Sequence, residues 1–386
     1  MKKNYYYFDN AATSFPKPAC VVRAMVDFSE RVGANPGRSG HRLSIEAGRV
    51  LYDTRDALAA LFNIEDPLNI VFTKNATEAL NIAIFGLIMP GDHVITSFFE
   101  HNSVARPLRY LEQRGVEFTR IDLHHHDPEP ALRAVRGAIR QNTRALIVNH
   151  ASNVTGAVAP LGVLGKAAHD AGVVFIVDSA QTAGAHPIDV EALKIDLLAF
   201  TGHKGLLGPQ GTGGLYVDSN IRLAPFILGG TGSASESDTQ PHFMPDFLES
   251  GTPNTVGLAG LKASVEDIIE RGVVETMRRE DALRLRFVDG LRAIAGVRFF
   301  GHGDGAEHMP TISLVFDDLN PSEAGYALDN EFNIMVRVGL HCSPWAHEYL
   351  GTYPEGTVRF SFGRYTTEQD IEYALTAIDK LCGNPR

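Results

Sequence analysis

Between residues 69 and 217, short apolar runs alternate with longer stretches whose apolar residues recur at helical spacing. No other feature narrows the possible folds as much. Residues 69–73, 93–96, 116–123, 145–149, 173–177, 196–200 and 214–217 read as strands, and 77–89, 130–140 and 161–171 as helices. Pro90-Gly91 marks a turn. Strands alternating with helices imply an α/β fold, a mostly parallel sheet covered on both faces. In such sheets ligands sit beyond the carboxyl ends of the strands. Thr77, His101, Asn153, Asp178 and Lys204 all fall at those ends.

The flanks read differently. Residues 1–40 are rich in Gly, Pro and Asn and suggest an extended arm around one helix at 19–31. Ile45, Val50, Leu51, Leu58 and Leu61 place another helix at 44–62. Residues 218–257 are irregular. A long helix is expected from 256 through 269 and on toward 294, with a break near Gly272. The remainder reads as strand 297–300, strand 311–316, helix 321–330, strand 335–338, a loop to Gly356, strand 357–362 and helix 367–380, a separate α+β domain. The expected division is an arm (1–30) packing with the small domain, a large domain (31–257), and an interdomain helix with the small domain (258–386).

Composition excludes some partners. The net charge is −11, with 46 acidic and 35 basic residues and no basic block, which makes nucleic acid a poor partner. The longest apolar run, 82–89, contains Gly86 and is far too short to span a bilayer, so no membrane role is expected. Met1-Lys2-Lys3 leads straight to Tyr5-Tyr6-Tyr7-Phe8-Asp9-Asn10 without an apolar signal stretch, so no secretion signal is expected. Cysteines at 20, 342 and 382 make no disulfide framework, which points to a reducing cytoplasm.

Thr201-Gly202-His203-Lys204-Gly205 follows an apolar strand and precedes Gly208, Gly211, Gly213 and Gly214. A lone lysine there is ordinarily a solvated one. Lysine amines also form Schiff bases with aldehydes, as in enzymes that use pyridoxal 5′-phosphate (PLP). Asp178 ends the apolar run 173–177, where an acid must be paired or capping a turn; the pyridine nitrogen of PLP needs such an acid. One strand–connection–strand passage separates Asp178 from Lys204, so neighbouring strand ends would hold opposite parts of one ring. Thr77, in Asn75-Ala76-Thr77-Glu78, would cap a helix whose free N–H groups attract anions. His101 suits ring stacking or proton transfer, and Asn153 suits a ring oxygen or an Asx turn. Gln181 and His203 are weaker candidates of the same kind.

Arg337-Val338-Gly339-Leu340-His341-Cys342 is the second motif. His341 and Arg337 would favour the Cys342 thiolate, against the inert buried state usual for free Cys. Arg359 suits bidentate pairing with a substrate carboxylate, against a surface ion pair. His124-His125-His126-Asp127 is a weak metal signal, since consecutive histidines cannot all face one ion.

Together these motifs resemble the cysteine desulfurase branch of the class V aminotransferases. The resemblance runs from Tyr7-Phe8-Asp9-Asn10-Ala11-Ala12 through Asn75-Ala76-Thr77-Glu78, Glu100-His101-Asn102, Ser152-Asn153-Val154-Thr155-Gly156, Asp178-Ser179-Ala180-Gln181, Thr201-Gly202-His203-Lys204 and Gly251-Thr252-Pro253-Asn254 to the Cys342 motif and Arg359. It implies the aspartate aminotransferase-like fold (fold type I), with a seven-stranded, mostly parallel sheet and PLP as cofactor. It implies Lys204 as the Schiff-base lysine, His101 stacked on the ring, and Asp178 on the ring nitrogen. Gln181 and Asn153 would lie near the ring hydroxyl, and Ala76, Thr77, Thr201 and His203 around the phosphate. Thr252 would reach the phosphate across a homodimer. Cys342 would be the nucleophile, and Arg359, with Asn153 and Asn10, would bind L-cysteine. A sulfur-acceptor protein is an implied partner. Ser343-Pro344-Trp345 departs from the Ala common after this cysteine, and Ala76 stands where many relatives carry Thr. A PLP-dependent C–S lyase, a selenocysteine lyase, and an inactive sulfur-relay scaffold are the rival readings.

Overall fold

The structure, a computed structural model, describes residues 5–37, 40–123, 128–301 and 307–383. It opens with strand β1 (Tyr6–Tyr7) and helices α1 (Ala19–Arg31) and α2 (Arg42–Phe62). The alternating series follows: β2 (Ile70–Thr73), α3 (Ala76–Leu87), β3 (His93–Ser97), α4 (Asn102–Glu112), β4 (Glu117–Ile121), α5 (Pro128–Ala138), β5 (Thr143–Asn149), α6 (Leu161–Asp170), β6 (Val174–Asp178), β7 (Leu197–Thr201) and β8 (Gly213–Val217). Then come α7 (Thr255–Arg271), α8 (Val273–Arg292), β9 (Val297–Phe300), β10 (Thr311–Phe316), α9 (Pro321–Phe332), β11 (Ile334–Met335), β12 (Arg337–Gly339), α10 (Pro344–Leu350), β13 (Thr357–Ser361) and α11 (Glu368–Leu381).

The fold is α/β around a seven-stranded sheet of order β2-β8-β7-β6-β5-β3-β4. All neighbours pair in parallel except β8, which runs antiparallel to both β2 and β7. Strict alternation fills both faces. Leu146, Val148, Phe175, Val177, Leu198 and Phe200 meet α2, α5, α6 and α7 on one side. Ala145, Ile147, Val174, Ile176, Leu197 and Ala199 meet α3 and α4 on the other. Burying each such Leu, Ile, Val or Phe contributes roughly 1.5–3 kcal/mol before entropy is counted. β8 lies close enough to β7 that a Cβ on Gly214 would come 2.3 Å from Phe200 Cζ, so only glycine fits there.

A four-stranded antiparallel sheet, β12-β13-β10-β9, carries α8, α9 and α11 on a separate core. Phe8 of the N-terminal segment is buried in that core, and β1 pairs in parallel with β11. The long helix breaks at Gly272, whose φ of +82° ends α7 and lets α8 set off in a new direction.

Three elements differ from expectation. Helix α4 was not foreseen, because Pro107 and the polar residues around it interrupt the pattern; Val104, Leu108 and Leu111 nevertheless face the core. The expected loop after Cys342 contains α10, with Pro344 in its first turn and Gly351 (φ +70°) capping its end. The expected strand at 335–338 is two: β11 pairs with β1, and the chain then crosses to pair β12 with β13. The His124–Asp127 tract lies outside the described residues. Among the described residues no helix is long and apolar enough to cross a membrane.

Candidate active site

The reversal between β7 and β8 creates the centre of the site. Gly202 N–H donates to Thr212 O (2.8 Å), Gly208 N–H to Gly202 O (2.8 Å) and Leu207 N–H to Lys204 O (2.9 Å). A Cβ on Gly202 would meet Thr212 Oγ1 at 2.1 Å, so a side chain there would open the turn. Burial lowers the Lys204 amine to about 8, with Asp178 opposing the shift and Arg359 and Arg337 adding to it. Asp178 closes β6, in register with Asn149 of β5 and Ala199 of β7. Its Oδ1 accepts Ala180 N–H at 2.9 Å; burial raises its pKa, against that bond and the Lys204 charge.

Lys204 and Asp178 line one cavity of about 270 Å³. Ala76, Thr77, His101, Asn153, Gln181, Thr201 and His203 line it as well. Its polar end fits an anion. The N–H groups of Ala76 and Thr77 belong to the first turn of α3, where no intrahelical acceptor exists. Thr201 Oγ1 and His203 Nδ1 are buried there without hydrogen-bond partners among the described residues. The cap differs from expectation: Asn75, in extended backbone, accepts Glu78 N–H at 3.0 Å, and Thr77 sits inside the helix. An anion-binding end, a buried acid and a lysine amine in one cavity fit a phosphorylated heteroaromatic aldehyde such as PLP.

His101 ends the β3 loop and caps α4, its Nδ1 accepting Ser103 N–H at 3.1 Å. Burial and the charges of Lys204, Arg337, Arg106 and Arg359 lower it to about 3, so the ring is neutral at ordinary pH. Its position depends on Glu100, which motif reading passed over. The fully buried Glu100 Oε1 accepts Ser97 Oγ–H (2.6 Å) and Asn149 N–H (3.0 Å), tying the ends of β3 and β5 together. Burial lifts Glu100 to about 8. The N-terminal arm is pinned to the same centre: His203 O accepts Ser14 N–H (3.0 Å), Thr13 Oγ1–H (3.1 Å) and Lys17 Nζ–H (2.8 Å).

Cys342 lies outside that cavity, in an adjoining mouth of about 550 Å³; Arg337 lines both spaces. Arg337 Nη2 donates to Cys342 Sγ at 3.2 Å. The loop is held taut. His341 and Cys342 take φ of +50° and +60°, unusual for non-glycine residues. Asn102 N–H donates to Cys342 O at 2.7 Å. Asn153 Nδ2 donates to His341 O, and Asn153 Oδ1 accepts Ser343 Oγ–H, both at 2.6 Å. His341 does not support a thiolate by charge: burial holds it neutral, and its Nε2 pairs with Thr357 Oγ1 at 2.9 Å.

The other candidates stand around this centre. Arg359 is no surface residue: it is fully buried opposite Arg337, donating to Asn153 O (3.0 Å) and Asp9 Oδ1 (2.8 Å), with Nε unpartnered among the described residues. It lines neither cavity next to Lys204. Asn10 lines a second cavity of about 590 Å³ that shares Lys204 and Gln181. Thr252 is exposed and lines none of these spaces. Removing one partner of a buried ion pair costs about 3–5 kcal/mol. Asp9→Ala is therefore expected to lower stability by about 3 kcal/mol, and Asp9→Asn by less, read from urea unfolding midpoints.

A parallel sheet with a lysine–acid cavity at its carboxyl edge is the architecture of the PLP-dependent fold type I enzymes. More narrowly, the chain belongs to the class-V aminotransferases: the model of that family, Aminotransferase class-V, matches residues 6–374. Similar curated proteins include a probable cysteine desulfurase of Pyrococcus abyssi, 35% identical, covering 97% of this chain and 94% of the relative. Another, from Methanothermobacter thermautotrophicus, is 32% identical over 99% of this chain and 96% of its own length. Among solved structures, an apo cysteine desulfurase from Thermococcus onnurineus aligns with TM-score 0.91 and 32% identity, covering 99% of this chain and 95% of that one. The Escherichia coli cysteine desulfurase CsdA aligns with TM-score 0.86 and 30% identity, covering 98% and 95%.

Proposed function

We propose that this chain is a PLP-dependent cysteine desulfurase, which moves the sulfur of L-cysteine onto Cys342 as a persulfide and releases L-alanine. The observation that carries the reading is the adjacency of two spaces: the cavity with Lys204 and Asp178, and the mouth with Cys342, joined at Arg337. Bound PLP supplies an electron sink that acidifies the α-carbon of an amino acid. Lys204 would hold the cofactor's aldehyde carbon and Asp178 its ring nitrogen. The Ala76 and Thr77 N–H groups, Thr201 and His203 would hold its phosphate, Gln181 and Asn153 its hydroxyl, and His101 its ring face. Asn153 and Asn10 orient the substrate, and Arg359, bound to Asp9 and to Asn153 O, holds the Asn153 segment from behind. Thr252 serves the phosphate of a second subunit in a homodimer, and a cytoplasmic acceptor takes the sulfur. The arm (1–30), large (31–257) and small (258–386) domains frame the site.

The protein groups act in sequence. The Lys204 amine takes the Cα proton. The Cys342 thiolate attacks the substrate sulfur. The C–S bond breaks with its electron pair left on carbon; Cβ takes up one proton, Lys204 returns the other to Cα, and the carbon fragment departs as alanine. Product analysis of the purified protein with cysteine tests this reading: alanine supports it, and pyruvate marks a lyase instead.

Two further outcomes follow. A free Lys204 amine near 8 should make PLP uptake by cofactor-free protein rise with pH, because only the neutral amine attacks an aldehyde. The rate should climb about tenfold per unit below that value and level above it, as stopped-flow absorbance would show. Ser343→Ala removes one hydrogen bond from the Asn153 clamp, about 1 kcal/mol. It should lower kcat/KM for cysteine about fivefold with PLP content intact.

A further inference from the structure

The mouth in front of Cys342 has a charge character opposite to that of the chain. Its lining includes Arg106 and Arg109, one turn apart on α4, and Arg337 on β12, but no Asp or Glu. The whole chain carries −11. Arg109 is offset by Glu112 at 3.0 Å and lies over the rings of Phe118 and Trp345. Arg120, also over the Trp345 ring, pairs with Glu348. Arg337 is turned to the Cys342 sulfur, and His341 is neutral. Arg106 is exposed, with no ion-pair partner among the described residues. A recess of about 550 Å³ is the size of a small-molecule site, and guanidinium forks match carboxylates.

Resting on the reading of Cys342 as a persulfide carrier, we infer that its sulfur acceptor is a small thiol bearing carboxylates of its own, drawn into this mouth by Arg106 and Arg109. The acceptor thiolate attacks the outer sulfur of the Cys342 persulfide. The S–S bond breaks, its electron pair returns to Cys342 as a thiolate beside Arg337, and the acceptor leaves as a persulfide. No external oxidant or reductant enters.

The first test needs no turnover. Alkylation of Cys342 in the holoenzyme by iodoacetate and by iodoacetamide is followed by peptide mass, with 2-mercaptoethanol as the reference thiol. The iodoacetate to iodoacetamide rate ratio should exceed the reference about tenfold at low salt and decline as salt rises. Arg106→Glu/Arg109→Glu should bring it to or below the reference, and the milder Arg106→Gln should lower it part of the way. A wild-type ratio equal to the reference overturns the inference. The second test measures sulfur transfer from the persulfide form to mercaptosuccinate, 2-mercaptoethanol and cysteamine. Rates should fall in that order, and equal or reversed rates contradict it. Failure to form any persulfide would refute the desulfurase reading instead, leaving the alkylation result to judge the mouth.

Discussion

Lys204→Ala should abolish turnover of cysteine, with a loss of about 10³-fold or more, and should bleach the visible absorbance of the purified protein. Two roles vanish together: the amine that holds the cofactor's aldehyde and the base that takes the Cα proton, the latter alone contributing about 10²–10⁴-fold. The site offers no substitute. Burial leaves His101 and His203 too weakly basic, at about 3 and 4, to replace it, and His101 spends its Nδ1 on the α4 cap. Lys17, also lowered to about 8, is committed to His203 O and Ser14 Oγ on the arm. Dialysed variant protein with unchanged colour would refute the lysine's assignment.

Cys342→Ala should separate the two spaces of the site. The cavity that holds Lys204 and Asp178 does not include Cys342, so PLP content and visible spectrum should match wild type. Sulfur release from cysteine should fall about 10³-fold or more, because a displacement at sulfur has no other nucleophile within the Arg337 contact. Mass spectrometry of wild-type protein after cysteine should find one added sulfur on the peptide carrying Cys342 and none in the variant. Sulfide release at the wild-type rate by Cys342→Ala would place the thiol outside the chemistry.

The sheet was legible because each central strand is apolar on both faces, a pattern a solvated element cannot carry. Asp178 and Lys204 stood out for a related reason: each is a charged residue set at the end of such a run. Local punctuation misled in places. Pro107 conceals α4, and the strand-to-helix pattern points to Thr77 for a cap that Asn75 provides. The larger omissions come from contacts between residues far apart in sequence. The Arg359–Asp9 pair spans 350 residues, and Asn153 clamps His341 and Ser343 from 188 and 190 residues away. Motif reading names such residues without showing what they hold. Arg106 carries no signal of its own, and Glu100 and Ser343 stand in quoted motifs without a role; only their neighbours in space give them one.

The most direct measurement counts the products formed from L-cysteine by the PLP-loaded protein with excess reductant present. The structure predicts alanine and sulfide in equal amounts. Pyruvate in place of alanine, or no product from protein fully charged with PLP, would contradict the transfer of sulfur to Cys342.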